Sequence, residues 1–242
     1  MKNNDYHNQL LKTFPESYQD WFKKEQEYLE RNISKNSSVL EVGCGDGRSI
    51  FDLLPMTENI TGIDHDEKAI QEISRRFIDY PSIKFIKADV EHLPFENDSF
   101  DYVICMTSFA NFSEKKFQIL EEMKRVLKDG GQIIISVFSQ NAFPERMKVY
   151  KNLNVPIKEI KDGTVIFDES VGDNISEQFS KDQLMEIFHK VGLVVKDITE
   201  VNIAYLCTLS KESRNSEYGE KTKVMIDNGD IISSQLNPTN ML

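Results

Sequence analysis

One stretch constrains the fold of this chain more than any other: a short apolar run that leads into three glycines at alternate positions. The run is Val39–Val42, the glycines are Gly43, Gly45 and Gly47, and an apolar segment starts at Ile50. A strand, a glycine turn and a helix in this order open a nucleotide-type α/β sheet, whose ligands bind at the carboxyl ends of the strands. Glycines tolerate positive φ in such a turn and leave the backbone open to a ligand. The alternative is an ordinary turn that binds nothing.

The spacing of these glycines bears on which ligand would fit. A dinucleotide fingerprint reads G-x-G-x-x-G and holds a pyrophosphate at the N-terminus of the following helix. Here the pattern is G-x-G-x-G, Arg48 stands in the place of the third fingerprint glycine, and Glu41 lies near the end of the strand. The Glu41 carboxylate would repel a phosphate but could face a cation. The pattern favours a nucleoside ligand with a positive centre, and an NAD-dependent oxidoreductase is kept as an alternative.

Acidic residues also end the next two predicted strands. Residues 59–64 are predicted to form the second strand, and Asp64 lies where a carboxylate can accept hydrogen bonds from both ribose hydroxyls. Residues 83–89 are predicted to form the third strand. The loop that follows contains Asp89 and Val90, then a Leu-Pro-Phe triplet, then Asp-Ser-Phe-Asp before another strand.

With these motifs the chain resembles the class I S-adenosylmethionine-dependent methyltransferases, from about Ser38 to Ser139. The loop after the third strand resembles that of the subfamily that includes ubiquinone- and menaquinone-type C-methyltransferases. The resemblance implies S-adenosyl-L-methionine as cofactor and S-adenosyl-L-homocysteine as product. It implies that Asp89 bonds the adenine amino group and that the Val90 backbone bonds a ring nitrogen. The cofactor-binding residues predicted in this way are Glu41, Gly43, Cys44, Gly45, Gly47, Asp64, His65, Asp89, Val90 and Thr107.

The predicted fold is α/β: a Rossmann-like, doubly wound, seven-stranded sheet that ends in an antiparallel hairpin, with an N-terminal lid helix. The hairpin is predicted from Leu193–Val201 and Ile203–Leu209, and a capping box at Ser180 starts the helix before it. We expect residues 1–37 to be a helical lid and residues 38–211 a methyltransferase domain. Residues 140–179 are expected to be an acceptor-pocket insertion without a clear helical period, and residues 212–242 a polar tail or small hairpin.

Aromatic residues on the acceptor side have two interpretations. Tyr18 and Trp21 lie at helical spacing in the segment before the glycine motif, and Phe109 and Phe112 follow the fourth predicted strand. We predict them as substrate-binding residues, the first two as part of the lid. Packing in the core is the alternative for each.

Net charge and one loop sequence restrict the classes of methyl acceptor. The net charge is −11, which disfavours a polyanion, so nucleic acid is an unlikely partner. The residues after the fourth strand, Thr107–Ala110, contain neither Asn-Pro-Pro-Tyr nor Pro-Cys, which disfavours adenine or glutamine amino groups and cytosine C5 as acceptors. We predict a small-molecule acceptor. The alternatives are a tRNA or protein methyltransferase and a non-catalytic adenosylmethionine-binding protein.

The remaining expectations concern catalysis and setting. Methyl transfer by in-line displacement depends on positioning, so no catalytic residue is assigned; His65, His92 and Glu169 are possible bases and none is chosen. The three cysteines lack the spacing of a zinc site, and no metal is expected. No apolar run is long enough to span a bilayer. We expect a cytoplasmic monomer or homodimer.

Overall fold

The computed structural model describes residues 12–171 and 175–212, which belong to one unit of the chain that ends at Glu212. The helices are α1 Glu16–Asn32, α2 Arg48–Leu53, α3 Glu67–Arg76, α4 Lys116–Val126, α5 Phe143–Asn152 and α6 Lys181–Lys190. The strands are β1 Val39–Val42, β2 Ile60–Asp64, β3 Lys84–Lys87, β4 Phe100–Met106, β5 Leu127–Phe138, β6 Ile157–Lys161, β7 Thr164–Phe167, β8 Ile175–Ser176, β9 Leu193–Val201 and β10 Ala204–Lys211. The predicted hairpin near residues 224–232 lies outside the described residues.

Seven strands form the main sheet in the order β3-β2-β1-β4-β5-β10-β9. The first five are parallel, and β10 runs antiparallel to both of its neighbours. This confirms the predicted Rossmann-like sheet with a terminal antiparallel hairpin. The chain order reverses between β1 and β4, and in sheets of this kind ligands bind outside the carboxyl ends of the strands at such a reversal.

The central strands are buried because both of their faces are covered. All four residues of β1 are buried, as are Val103–Met106 at the carboxyl end of β4. Continuous apolar runs of this kind are typical of parallel strands with helices on both faces. The sheet core therefore fixes the positions of the loops that follow β1, β2, β3 and β4.

The segment between β5 and α6 contains more structure than its sequence predicts. Residues 143–152 form α5, where we expected no helix, and β6, β7 and β8 form a separate antiparallel sheet. Only Arg146 and Val149 of α5 are buried, so the helix carries almost no apolar periodicity. Strand β7, Thr164–Phe167, is the central strand of this sheet.

Arg146 joins α5 to this small sheet. Its guanidinium is fully buried and donates to the carbonyl oxygens of Gly163 (2.9 Å) and Ser176 (2.5 Å). It also donates to the Gln178 side chain (2.9 Å) and lies 4.9 Å from the centre of the Phe138 ring. Arg146 thus joins the insertion to the end of β5, beside the hydrogen bond from the Phe179 N–H to the Phe138 carbonyl oxygen at 3.0 Å.

Helix α1 packs on the main sheet. Trp21 is fully buried and its Nε1 donates to Ser136 Oγ at 2.9 Å. Tyr18 is 4% exposed and packs edge-on against Phe138. Neither side chain has free surface for a substrate here, which favours the packing alternative over a lid role for both residues. Among the helices of residues 12–171 and 175–212, none is long and apolar enough to cross a bilayer.

Candidate active site

The three glycines after β1 differ in what surrounds them. All three have positive φ: 72° at Gly43, 47° at Gly45 and 81° at Gly47. A Cβ on Gly43 would lie 2.6 Å from Ser108 Oγ, and one on Gly47 would lie 2.5 Å from Ile73 Cδ1. A Cβ on Gly45 would meet nothing within 4 Å. Packing therefore explains Gly43 and Gly47, whereas Gly45 faces open space that a ligand could fill.

Asp64 connects two loops at the edge of this space. Its Oδ2 accepts from the Gly45 N–H and its Oδ1 from the Asp66 N–H, each at 2.9 Å. An ionised carboxylate has about four acceptor positions, so two remain after these backbone bonds. His65 is largely exposed, and its Nδ1 lies 3.3 Å from Asp64 Oδ1. The carboxylate can accept further hydrogen bonds without giving up its hold on the glycine turn.

A cleft runs along the carboxyl ends of β1, β2 and β3. One cavity of about 410 Å³ is lined by Gly43, Gly45 and Asp64, among others. A second cavity of about 780 Å³ includes Asp89. Both are lined by His65, Val90, Asn111 and Phe112, so they share a wall. The structure thus brings together seven residues that the sequence singled out: Gly43, Gly45, Asp64, His65, Asp89, Val90 and Phe112.

Three other predicted cofactor residues are not among the described residues that line either cavity. Cys44 is buried, and its Sγ would lie 3.0 Å from a Cβ placed on Gly62, so the thiol faces β2. Gly47 packs against α3, because a Cβ added to it would lie only 2.5 Å from Ile73 Cδ1. Thr107 has φ of 76°, and its N–H donates to the Ser136 carbonyl oxygen at 2.9 Å. Any role of these three toward a cofactor is through the backbone or through their neighbours.

Glu41 also faces the interior rather than the cleft. It is 1% exposed and accepts a hydrogen bond from Ser49 Oγ. Burial raises the pKa of Glu41 to about 8, although the Ser49 hydrogen bond and the nearby Arg48 oppose the increase. The Glu41 side chain therefore contacts the helix after the glycine turn from the protein interior.

The structure adds cleft residues that the sequence did not single out. Ser108 and Asn111 line the smaller cavity, and Ser108 Oγ donates to the Gly43 carbonyl oxygen at 2.8 Å. Their position after a buried strand was the available signal. Val171 and Ile175 reach the cleft from the insertion, where no motif marks them.

Phe109 and Phe112 separate into core and cleft. Phe109 is fully buried and packs against Phe179 and Phe188 at ring-centroid distances of 5.7 and 6.2 Å. This favours packing for Phe109, whereas Phe112 is partly exposed and lines both cavities. Within the described part of the chain, no group of three His, Cys, Asp or Glu residues is arranged to hold a metal ion.

Known proteins share this domain. A family described as a methyltransferase domain matches residues 39–131. An uncharacterized protein of Methanocaldococcus jannaschii is 34% identical over 156 residues, 58% of this chain and 71% of that protein. The demethylmenaquinone methyltransferase of Staphylococcus saprophyticus is 30% identical over 139 residues, 56% of this chain. The match spans only 58% of that enzyme's length.

The fold has close structural relatives as well. The crystal structure of an S-adenosylmethionine-dependent methyltransferase from Clostridium acetobutylicum superposes with a TM-score of 0.63, covering 87% of this chain and 98% of that one. Its sequence identity is 13%, so this likeness concerns the fold alone.

Proposed function

Since the chain belongs to the class I S-adenosylmethionine-dependent methyltransferases, we propose that it transfers a methyl group to a small-molecule acceptor by in-line displacement. S-adenosylmethionine is the cofactor of this family. When bound, it supplies a methyl group on a sulfonium, which is already activated toward an attacking acceptor atom. The protein then needs to bind the cofactor and the acceptor, orient them toward each other and exclude water.

The cofactor side of the proposal rests on the cleft. Asp64 has acceptor positions left for ribose hydroxyls, and Gly45 offers open backbone beside it. Asp89 and Val90 lie at the adenine end of the same cleft, where an acceptor and a donor are needed. These residue types suit an uncharged nucleoside better than a pyrophosphate, because no basic side chain lines the smaller cavity among the described residues except His65.

One observation carries the choice of a small acceptor: the insertion reaches the cleft with short apolar side chains. Val171 and Ile175 line it together with Phe112. The relative of 30% identity bears the name demethylmenaquinone methyltransferase, which agrees with an apolar organic acceptor.

Positioning supplies the rate in this proposal. Good orientation of two reactants contributes roughly 7–11 kcal/mol of barrier lowering. The loop 108–112 lies between the glycine turn and the insertion, since Ser108 bonds Gly43 and the Ala110 carbonyl oxygen accepts from the Glu177 N–H at 2.8 Å. It is therefore placed to hold an acceptor against the cofactor without a catalytic base.

Calorimetric titration followed by a methyl-transfer assay tests the proposal. We expect the protein to bind S-adenosylmethionine and S-adenosylhomocysteine but not NADH. We then expect saturable methyl transfer to a member of a panel of quinols, phenols, amines and thiols, and none to bulk tRNA or denatured protein. Turnover on tRNA or protein alone would replace the small acceptor, and binding without turnover on any substrate would favour a non-catalytic binding protein.

A further inference from the structure

A buried ion pair joins α1 to the first residue after the glycine turn. Arg48 Nη1 lies 2.6 Å from Glu25 Oε2, and Glu25 is fully buried on the inner face of α1. The Arg48 guanidinium also lies 4.0 Å from the centre of the Phe22 ring, one turn earlier on the same helix. Arg48 is thus held by α1 from two directions.

Two further carboxyl groups lie near this pair. Asp52 of α2 lies 3.9 Å from Arg48 Nη1, and Glu41 of β1 also acts on the guanidinium. Burial raises the pKa of Glu25, and the nearby Arg48 guanidinium opposes the increase. Three carboxyl groups thus surround one guanidinium. A buried charge that loses its partner is strongly destabilised, so the position of Arg48 depends on Glu25.

Arg48 also closes the glycine turn. It follows Gly47 directly, its N–H donates to Asp46 Oδ1 at 3.2 Å, and the Gly47 N–H donates to the Cys44 carbonyl oxygen at 2.9 Å. The helix that it starts has only six residues, so that helix does little to fix the turn by itself. The Arg48 side chain links the turn to a helix of 17 residues.

We propose that Arg48 and Glu25 are positioning residues for cofactor binding: their ion pair anchors the glycine turn to α1 and holds it with the Gly45 backbone open to the ligand. The proposal rests on the proposed function, because it takes S-adenosylmethionine as that ligand. Neither residue lines the two cavities, so both act through the turn. An unanchored turn would populate the open conformation less, and the apparent dissociation constant rises in inverse proportion to that population.

The same helix offers a matched control. Tyr28, three residues beyond Glu25, is buried, and its hydroxyl lies 2.6 Å from Thr208 Oγ1 and 2.8 Å from Asp197 Oδ2. These partners belong to β10 and β9, away from the glycine turn. Tyr28→Phe therefore loosens α1 without touching Arg48.

The test compares cofactor affinity with thermal stability. Calorimetry gives the dissociation constants of S-adenosylmethionine and S-adenosylhomocysteine, and thermal unfolding gives Tm, for the wild type, Glu25→Gln, Arg48→Gln and Tyr28→Phe. We expect Glu25→Gln and Arg48→Gln to weaken both ligands about tenfold, as when the competent population falls to about a tenth. Tyr28→Phe should lower Tm while leaving both affinities within about twofold of wild type.

A double variant keeps the test decisive if the single variants do not fold. Glu25→Gln with Arg48→Met removes both charges, which is often neutral for stability. Weakened binding in this folded double variant supports the anchor. Wild-type affinity in the double variant overturns the proposal. So does a loss of affinity in Tyr28→Phe that equals the loss in Glu25→Gln or Arg48→Gln at the same Tm. If the wild type binds S-adenosylmethionine and the variants bind it equally well, the anchor proposal is wrong and the proposed function stands. If the wild type does not bind S-adenosylmethionine, both proposals are wrong.

Discussion

The Asp64 carboxylate has two roles in the proposed site. Its carboxylate bonds the Gly45 and Asp66 backbone, which is structural, and keeps acceptor positions for a ligand. A side chain of this kind is found from sequence because it ends a strand at a fixed distance from the glycines. Its bond to Gly45 needs the folded structure to be seen.

Asp64→Ala should weaken binding of S-adenosylmethionine by roughly 1.5–3 kcal/mol, through lost hydrogen bonds to a charged group. Calorimetry measures this. Ser180→Ala is the control, because Ser180 caps α6 by accepting from the Gln183 N–H and is not among the cleft residues. It should lower stability by about 1 kcal/mol and leave affinity unchanged. Equal affinity of Asp64→Ala and wild type would remove Asp64 from the site.

The glycines of the turn give a second contrast. Gly45→Val should abolish cofactor binding in a folded protein, because the new side chain would occupy the space that is open in the structure. Gly47→Ala should instead lower Tm, because its Cβ would lie 2.5 Å from Ile73 Cδ1. Circular dichroism and calorimetry on both variants separate the effects. Wild-type affinity in folded Gly45→Val would contradict the placement of the ligand.

At the scale of elements, the insertion between β5 and α6 depends on Arg146. The fully buried guanidinium bonds the turn at Gly163 and the strand at Ser176, so one side chain of α5 contacts two parts of the small sheet. The side chains of Val171 and Ile175 reach the cleft from this sheet or beside it. Acceptor recognition in the proposed function therefore depends on a contact made outside the cleft.

Arg146→Met should loosen β6, β7 and β8 while leaving the main sheet intact. Its stem can still pack, but the carbonyl and side-chain acceptors of Gly163, Ser176 and Gln178 lose their donor. Hydrogen exchange with mass spectrometry should show faster exchange in these strands, with S-adenosylmethionine affinity little changed. The control is Lys148→Met on the same helix, whose side chain is 63% exposed. Unchanged exchange in the Arg146 variant would show that the sheet is held by other contacts.

The sequence predicts those elements whose signal is local. Strand β4 follows from the continuous apolar run at its carboxyl end, and α6 from its capping box and apolar stripe. Helix α5 is not predicted because Arg146 and Val149 are its only buried residues, and one of them is charged. In the site, Gly45 and Asp64 are predicted from the spacing of the glycines and the strand end, and Asp89 from the family resemblance of the loop that contains it. The pair Arg48 and Glu25, and the cleft residues Val171 and Ile175, depend on contacts between distant segments that no local pattern records.

At the scale of the whole molecule, buried carboxyl groups link stability to pH. The pKa of Glu41 is raised from 4.5 to about 8, chiefly because the carboxylate is desolvated. Between these values the folded chain holds a proton that the unfolded chain releases. The Glu41 contribution to stability is therefore fully present below pH 4.5 and is lost as pH rises through about 8. The pKa of Glu25 is also raised, so its contribution has the same sign.

Glu41→Gln should remove part of this dependence. Wild-type Tm should fall as pH increases through neutrality to about pH 8, and the variant, whose amide stays neutral, should show a flatter profile over the same range. Thermal unfolding in matched ionic strength measures both. Glu72→Gln, at an exposed position of α3, controls for the change in net charge. Parallel profiles for Glu41→Gln and wild type would mean that Glu41 keeps the same protonation in both states.

The position of β10 has a consequence for the protein while it is being made. This strand lies between β5 and β9, yet it is the last strand of the described chain. On a ribosome, all of β1–β9 emerge before it, so β5, a strand of 12 residues with a fully buried carboxyl half, keeps one edge unpaired until residues 204–211 are translated. An apolar strand with a free edge is a template for pairing with other chains. Until residues 204–211 are translated, the nascent protein therefore exposes a template for aggregation, and chaperones that cover such edges would matter most in that interval.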